Sequence, residues 1–398
     1  MKLEQEQVIE LRRLFLKANT KEDLLKVINK SIKYQNNGTK EFKYISLKTL
    51  TYYANANVCK DRYTSFEILK KSGSKRTIHS PHLILNKILK ALNLILQCSF
   101  EPHQAAMGFV KNRSIVDNAK YHLNHSYVYN IDLKDYFYCF DLKRVKFGFF
   151  NVPFDFSKNQ ESLAFFIACL CTHPLDINGE LKTVLPQGAA TSPTLTNILS
   201  YRLDRKLTGL AKRFNLLYSR YADDITFSGD FDFSKNKDFI AELDRIITKE
   251  GFEINKDKTR MQSKAFRQQI TGLVVNEKVN VHKGFIKQLR MWIHYIEKYG
   301  LEKAQSIFDK SEIKPLNAKY DLANVLKGKI EFLKHVKGQE DPTYIKLNQR
   351  LRACLIKAGR IEENLTEKKS SEDIKFEKAI SLLIKQGDIE SAMNLFFK

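Results

Sequence analysis

The chain has 398 residues, 43% of them hydrophobic, with 67 Lys and Arg against 45 Asp and Glu and a formal charge of +22. The longest apolar run, Leu163 to Cys171, is far too short to cross a membrane, and Met1 to Glu6 lack the apolar core of a signal peptide. Basic residues spread along most of the chain favour a broad nucleic-acid-binding surface over a localisation signal. A cytoplasmic protein with no membrane partner is expected, long enough for two or three domains. Six cysteines, at 59, 98, 139, 169, 171 and 354, show no C-x-x-C spacing, so neither structural zinc nor disulfides are expected.

Residues 1–60 read as helices, with Val8, Leu11 and Phe15, then Leu24, Leu25 and Ile28, at helical spacing. Tyr63 to Ile78 predicts a strand pair turning at Ser72, Gly73 and Ser74. Leu83 to Leu96 predicts an amphipathic core helix. Gly108 to His122 starts as a short strand or loop and turns helical. Val128 to Leu133 predicts a buried strand ending on an acid. Leu163 to Cys171 predicts a buried helix, Leu181 to Val184 a short strand, and Thr194 to Leu210 a helix. Phe239 to Glu250 predicts a helix stopped by Gly251, with a strand starting at Phe252 to Ile254. Gln269 to Val281 suggests two strands turning near Asn276 and Glu277. From Phe285 onward the pattern is helical, with Trp292, Ile293 and Ile296 on one stripe and Lys287, Arg290, His294 and Lys298 around it. Trp292 reads as core. Lys368 to Asp373 reads as a linker, followed by two amphipathic segments in Phe376 to Phe397 broken at Gly387.

The chemistry concentrates at Tyr221, Ala222, Asp223 and Asp224, between two β-prone runs. Adjacent carboxylates at the tip of a hairpin repel unless a cation lies between them. Two divalent ions would relieve this and supply nucleotidyl-transfer chemistry. Asp132, at the end of its strand, is the candidate third ligand. Asp132, Asp223 and Asp224 would then hold two Mg²⁺ ions, Mn²⁺ being a possible substitute. Taken alone, the hairpin acids also fit a charged turn, and Asp132 a helix N-cap.

Further segments then line up in order. Glu67 to Pro81 (EILKKSGSKRTIHSP), Gly108 to Ala119 (GFVKNRSIVDNA), Asn130 to Phe137 (NIDLKDYF), Leu185 to Pro193 (LPQGAATSP), RYADDITFSG, Gly251 to Thr259 (GFEINKDKT) and Ile270 to Asn276 (ITGLVVN) resemble the successive motifs of a reverse transcriptase. The resemblance covers roughly residues 60–280. Asn118 to His122 resembles the N-A-x-x-H signature of bacterial retron reverse transcriptases. Ile270-Thr271-Gly272 resembles their V-T-G, with Ile for Val.

The resemblance implies an α+β right-hand polymerase: N-terminal helices and fingers over 1–127, palm over 128–282 with a fingers-associated insert at about 150–180, helical thumb over 283–367, and a small C-terminal helical extension over 368–398. It implies an RNA-directed DNA polymerase that primes from a guanosine 2′-OH on a cognate noncoding RNA. The product is a branched, RNA-linked single-stranded DNA, made for antiphage defence with an effector protein. A host RNase H would remove the RNA.

By motif position, Lys75 and Arg76 would meet the dNTP phosphates, Phe137, or else its neighbour Tyr136, would exclude a ribose 2′-OH, Gln187 would touch the nucleotide sugar, and Lys258 would approach the triphosphate. Leu133 would lend its backbone carbonyl to a metal ion. Asn118 and His122, four apart on one helix face, either contact RNA or brace local structure. Lys75, Arg76 and Lys258 also fit solvated basic turns, and Phe137 ordinary packing. Other readings are a reverse transcriptase of group II intron, CRISPR-associated or abortive-infection type, or a catalytically idle RNA-binding scaffold.

Overall fold

The computed structural model describes residues 3–36, 44–69, 73, 75–311 and 320–360. The chain divides into two units, 1–283 and 284–398. The expected extension at 368–398 lies outside the described residues.

The first unit opens with helices α1 (Gln5–Leu16), α2 (Lys21–Gln35) and α3 (Leu47–Ala54). Thr20 and Asp23 form a reciprocal capping box that starts α2. The strands β1 (Tyr63–Leu69) and β2 (Lys75–Pro81) form an antiparallel hairpin. Helix α4 (Leu83–Ser99) buries Leu85, Ile88, Leu89, Leu92, Ile95 and Leu96 on a stripe with helical period and packs on α1 and α2. Ser31 Oγ donates to the Ala91 carbonyl at 2.9 Å across that interface.

Helix α5 (Ile115–Tyr121) precedes β3 (Tyr127–Leu133). Then come α6 (Leu142–Gly148), α7 (Glu161–Cys171), β4 (His173–Ile177) and β5 (Glu180–Val184). β4 and β5 form a hairpin turned by Asn178 and Gly179, both at positive φ. Asn-Gly is the strongest short hairpin signal, and β4 was legible from it, although the sequence reading placed only β5 there. The helix expected over 194–210 is two, α8 (Ser192–Leu199) and α9 (Tyr201–Arg213), broken at Ser200.

β6 (Leu217–Tyr221), β7 (Asp224–Gly229) and β8 (Ile254–Ser263), with α10 (Lys237–Lys249) between the last two, complete an antiparallel sheet of order β6-β7-β3-β8. Phe227 from β7 meets Tyr218 of β6 and Phe239 of α10, with ring centroids 5.1 and 5.4 Å apart, so sheet and helices share one core. β3 and β8 pair regularly up to Asn130 opposite Arg260, then resume with Asp132 opposite Asn255. Lys256 to Thr259 bulge out in between, and Thr259 Oγ1 donates to the Asn255 carbonyl at 2.8 Å to close the bulge. Two short strands follow, β9 (Gln269–Ile270) and β10 (Leu273–Val274). Their turn falls at Thr271 and Gly272, both at positive φ, rather than near Asn276.

The second unit is helical where described: α11 (Lys283–Tyr299), α12 (Leu301–Asp309), α13 (Leu322–Lys337) and α14 (Pro342–Lys357). Trp292 is buried against Phe308, centroids 5.2 Å apart, as expected of a core residue. Lys287, Arg290, His294 and Lys298 are exposed on α11. No helix among the described residues is long and apolar enough to cross a membrane.

Candidate active site

The site is built on the β6–β7 hairpin. Tyr221 pairs with Asp224, leaving Ala222 and Asp223 as a two-residue turn. Ala222 has φ +58°, a left-handed conformation that usually calls for Gly. Asp132 lies within β3, directly opposite Asp224 in the ladder, rather than capping a helix. The Leu133 N–H donates to the Asp223 carbonyl at 3.1 Å. Three carboxylates therefore share one end of the sheet.

Their electrostatics follow from that placement. Burial raises the pKa of Asp223; its own backbone N–H opposes this, and the Asp132 charge adds to it. Burial, then the charges of Asp223 and Asp132, push Asp224 up to about 7. Water reaches the Asp224 side chain and screens part of that repulsion. Lys258, carried on the β8 bulge, bonds both Asp132 oxygens at 2.8 and 3.0 Å, and Asn255 Nδ2 donates to Oδ1 at 3.0 Å. That hydrogen bond to Asp132 raises the Lys258 pKa. Among the described residues, no group of three or more His, Cys, Asp or Glu is drawn close enough to hold a metal ion as it stands. The donors are nonetheless hard oxygens, and burial together with mutual repulsion raises two of the three carboxylates. That excess of negative charge fits a divalent cation.

Beneath the turn lies a buried network. Arg220 is fully buried; its Nη1 donates to the Ala222 carbonyl at 3.2 Å and to the Tyr136 hydroxyl at 2.9 Å. Its Nη2 donates to Asn197 Oδ1 at 3.1 Å, and Nε and Nη2 reach Asp204. Helices α8 and α9 thus hold the turn from below. Sequence reading missed Arg220, Asp204 and Asn197. The signal was a charged residue inside an apolar strand, which demands a buried partner.

The expected nucleotide residues sit around this end of the sheet. Lys75 and Arg76 are exposed at the start of β2; Lys75 pairs with Glu67 across the hairpin at 2.6 Å. Arg76 is near enough for its charge to lower the Asp223 pKa. The Gln187 carbonyl accepts from the His79 N–H of β2 at 2.7 Å, which ties the following loop to the hairpin. Gly188 has φ +121°, and a Cβ there would stand 2.5 Å from the His79 carbonyl oxygen, so only Gly fits. Phe137, half-buried in a short 3₁₀ turn, packs on Tyr136 at 5.8 Å.

The remaining expected residues are engaged within the protein. Asn118 and His122 are 1% and 0% exposed, so in this fold neither offers a side chain to RNA. Instead His122 Nδ1 and Nε2 hydrogen-bond Ser228 Oγ and Ser219 Oγ, each at 2.7 Å, and Ser219 Oγ donates to Asn118 Oδ1 at 2.6 Å. The pair braces the back of the β6–β7 hairpin, the other role their spacing allowed. Burial, then the His125 charge, lowers His122 to about 3. Lys258, in turn, is engaged with Asp132.

The fold class, a mixed α and β chain with an acid-bearing hairpin sheet, is that of a reverse transcriptase. Residues 68–293 match the reverse transcriptase (RNA-dependent DNA polymerase) family, and the chain belongs to it. The retron resemblance read from the motifs is borne out. The chain is 34% identical to the Retron Mx65 reverse transcriptase of Myxococcus xanthus, over 58% of this chain and 55% of that one. It is 35% identical to the Retron Mx162 reverse transcriptase of the same species, over 58% and 52%. It is 34% identical to the Retron Ec86 reverse transcriptase of Escherichia coli, over 59% and 70%. The match thus spans about half the length of the two Myxococcus relatives.

Proposed function

We propose that the protein is the RNA-directed DNA polymerase of a retron. The observation that carries this reading is Asp132 facing Asp224 across the ladder, with Asp223 beside them on the turn. In this reading Asp132, Asp223, Asp224 and the Leu133 carbonyl hold two Mg²⁺ ions. When bound, the ions activate the attacking hydroxyl and stabilise the leaving oxygen. Mn²⁺ can substitute.

The chain's own residues orient the substrate. Arg76 and Lys75 on the exposed hairpin take the triphosphate, a guanidinium suiting phosphate geometry. Phe137 stands under the sugar and excludes a 2′-OH, and Gln187 meets the sugar from the loop. Lys258, on leaving Asp132, gives a proton to the pyrophosphate oxygen. Fingers, palm and thumb divide at residues 127 and 282, and the exposed basic residues of α11 track the duplex backbone. Such phosphate contacts bring strong salt dependence.

The template is a cognate structured RNA that also primes, from a guanosine 2′-OH, leaving a branched RNA-linked single-stranded DNA. A host RNase H trims the RNA in the cytoplasm, and an effector protein acts with the product in antiphage defence. Residues 368–398 dock that effector or the RNA; truncation at about residue 367 that spares both synthesis and defence overturns this last assignment.

The test is sequencing of nucleic acid that co-purifies with the protein, beside the Asp223→Asn, Asp224→Asn variant. A discrete RNA-linked DNA in the wild type alone is expected. RNA without DNA in both samples supports an idle scaffold. Varied, unbranched cDNA assigns the protein to another bacterial lineage, of group II intron, CRISPR-associated or abortive-infection type.

A further inference from the structure

Phe109 is a bulky residue with φ +61°, in the left-handed region that such side chains enter only when their surroundings force it. Here the surroundings do. Just before it, Gly108 lies flush against the hairpin turn: a Cβ on Gly108 would stand 2.7 Å from the Ala222 nitrogen and 3.1 Å from the Tyr221 carbonyl carbon. The Gly108 carbonyl accepts from Asn197 Nδ2 at 2.9 Å, and the Met107 N–H donates to the Arg220 carbonyl at 2.7 Å. Asn197 is itself held by Arg220. The chain is therefore pinned immediately before Phe109.

The left-handed turn carries the Phe109 ring outward, where it stays 43% exposed. It meets two other rings there. The Phe137 centroid is 6.3 Å away and the Tyr221 centroid 6.5 Å. Phe137 thus has two ring neighbours, the buried Tyr136 and the exposed Phe109. Tyr136 is fixed by Arg220 and by Ser200 Oγ, 2.9 Å from its hydroxyl. Without Phe109, the outer side of Phe137 would lose its aromatic neighbour.

We propose that Phe109 is a positioning residue for sugar discrimination: it locks the Phe137 ring in place, so that rejection of ribonucleoside triphosphates depends on it. The proposal rests on the reading of Phe137 as the sugar gate. A steric gate rejects a hydroxyl only while its ring cannot swing aside into another rotamer. Tyr136 and Phe109 are the two rings that pack on it. The backbone strain at Phe109 then has a use, since an ordinary φ would not deliver the ring to this position. Phe109 acts through Phe137, so its removal acts on selectivity before it acts on rate.

The test is single-nucleotide extension of a supplied primer on an RNA template, with kcat/KM measured for a dNTP and the matching rNTP. Wild type is compared with Phe109→Gly, Phe109→Leu, Phe109→Tyr and Phe137→Val. Gly relieves the left-handed strain while deleting the ring, and the ratio is read within each variant, so a general loss of activity does not mask it. The dNTP-to-rNTP ratio is expected to fall about tenfold in Phe109→Gly and Phe109→Leu, as for other apolar-pocket changes, and to hold in Phe109→Tyr. Phe137→Val is expected to lower it further. If Phe137→Val lowers the ratio while Phe109→Gly and Phe109→Leu keep the wild-type value, the Phe109 proposal is overturned and the gate stands. If Phe137→Val also leaves the ratio unchanged, the gate reading itself fails and takes this proposal with it.

Discussion

Arg220 and Asp204 form a bidentate ion pair, Nε to Oδ1 and Nη2 to Oδ2, both at 2.7 Å, with neither side chain touching solvent. The Tyr218 hydroxyl also donates to Asp204 Oδ1 at 2.7 Å. Removing one member strands a buried charge. Asp204→Leu and Arg220→Met are each expected to cost roughly 3–5 kcal/mol, whereas the two changes together cost less than their sum. A urea-unfolding double-mutant cycle checks this, and strict additivity would contradict the coupling.

Across the ladder from Asp132, the carboxylate of Asp224 is held against two like charges. Without metal, Asp224→Asn is therefore expected to melt above the wild type, because the cost of burying the charge and the repulsion are both gone. Mg²⁺ is expected to raise the melting temperature of the wild type and to have little effect on the variant. DNA synthesis by the variant falls by about a hundredfold or more. Thermal melting in EDTA and in MgCl₂ decides the point; a variant that melts lower than the wild type in EDTA refutes the repulsion.

His122 gives stability a pH dependence of known sign. Its folded pKa is lowered to about 3 by burial, while an unfolded chain takes up the proton near its ordinary value of about 6.5. Between those values the unfolded state binds more protons, so acid favours unfolding. The stability contributed by neutral His122 is whole above about pH 6.5 and is lost as pH falls toward 3, by at most about 1.4 kcal/mol per pH unit. His122→Gln should give a lower melting temperature at neutral pH and a shallower decline from pH 6 to 4. Parallel slopes for the two proteins would show that His122 does not set the dependence.

Gly188 is the contact point between the 185–193 loop and the β1–β2 hairpin. Gly188→Ala places a methyl 2.5 Å from the His79 carbonyl oxygen at a φ of +121°, so loop or hairpin must yield. A loss of about 1–3 kcal/mol is expected, with kcat/KM for dNTPs falling more than unfolding alone explains. Chemical denaturation and steady-state extension under fully folded conditions separate the two. An alanine variant with wild-type stability would mean that the loop has room to shift.

The acids were readable because their chemistry and their position coincide. Asp132 ends an apolar run and Asp223-Asp224 interrupts another, and few structural reasons place carboxylates there. The brace at Asn118 and His122 was half legible: spacing put both on one helix face, but which way that face points depends on Ser219 and Ser228, about a hundred residues away. Arg220 was marked only by its place inside a strand, and only the fold brings Asp204 and Asn197 to it. Phe109 was hidden for a different reason. A left-handed phenylalanine has no local signature, because its conformation is imposed by the packing of Gly108 against a turn more than a hundred residues later.

The bulge between Asn255 and Arg260 bears on how such a site can diverge. Pairing is restored on both sides of it, so a residue gained or lost among Lys256 to Thr259 leaves the flanking ladder, the sheet core and the acids of β3 and β7 where they are. What changes is the reach of the single cation that the bulge delivers to Asp132. A lineage, or an engineer, thus has a length-adjustable arm at the edge of the sheet, tunable by insertion and deletion without refolding the frame that carries it.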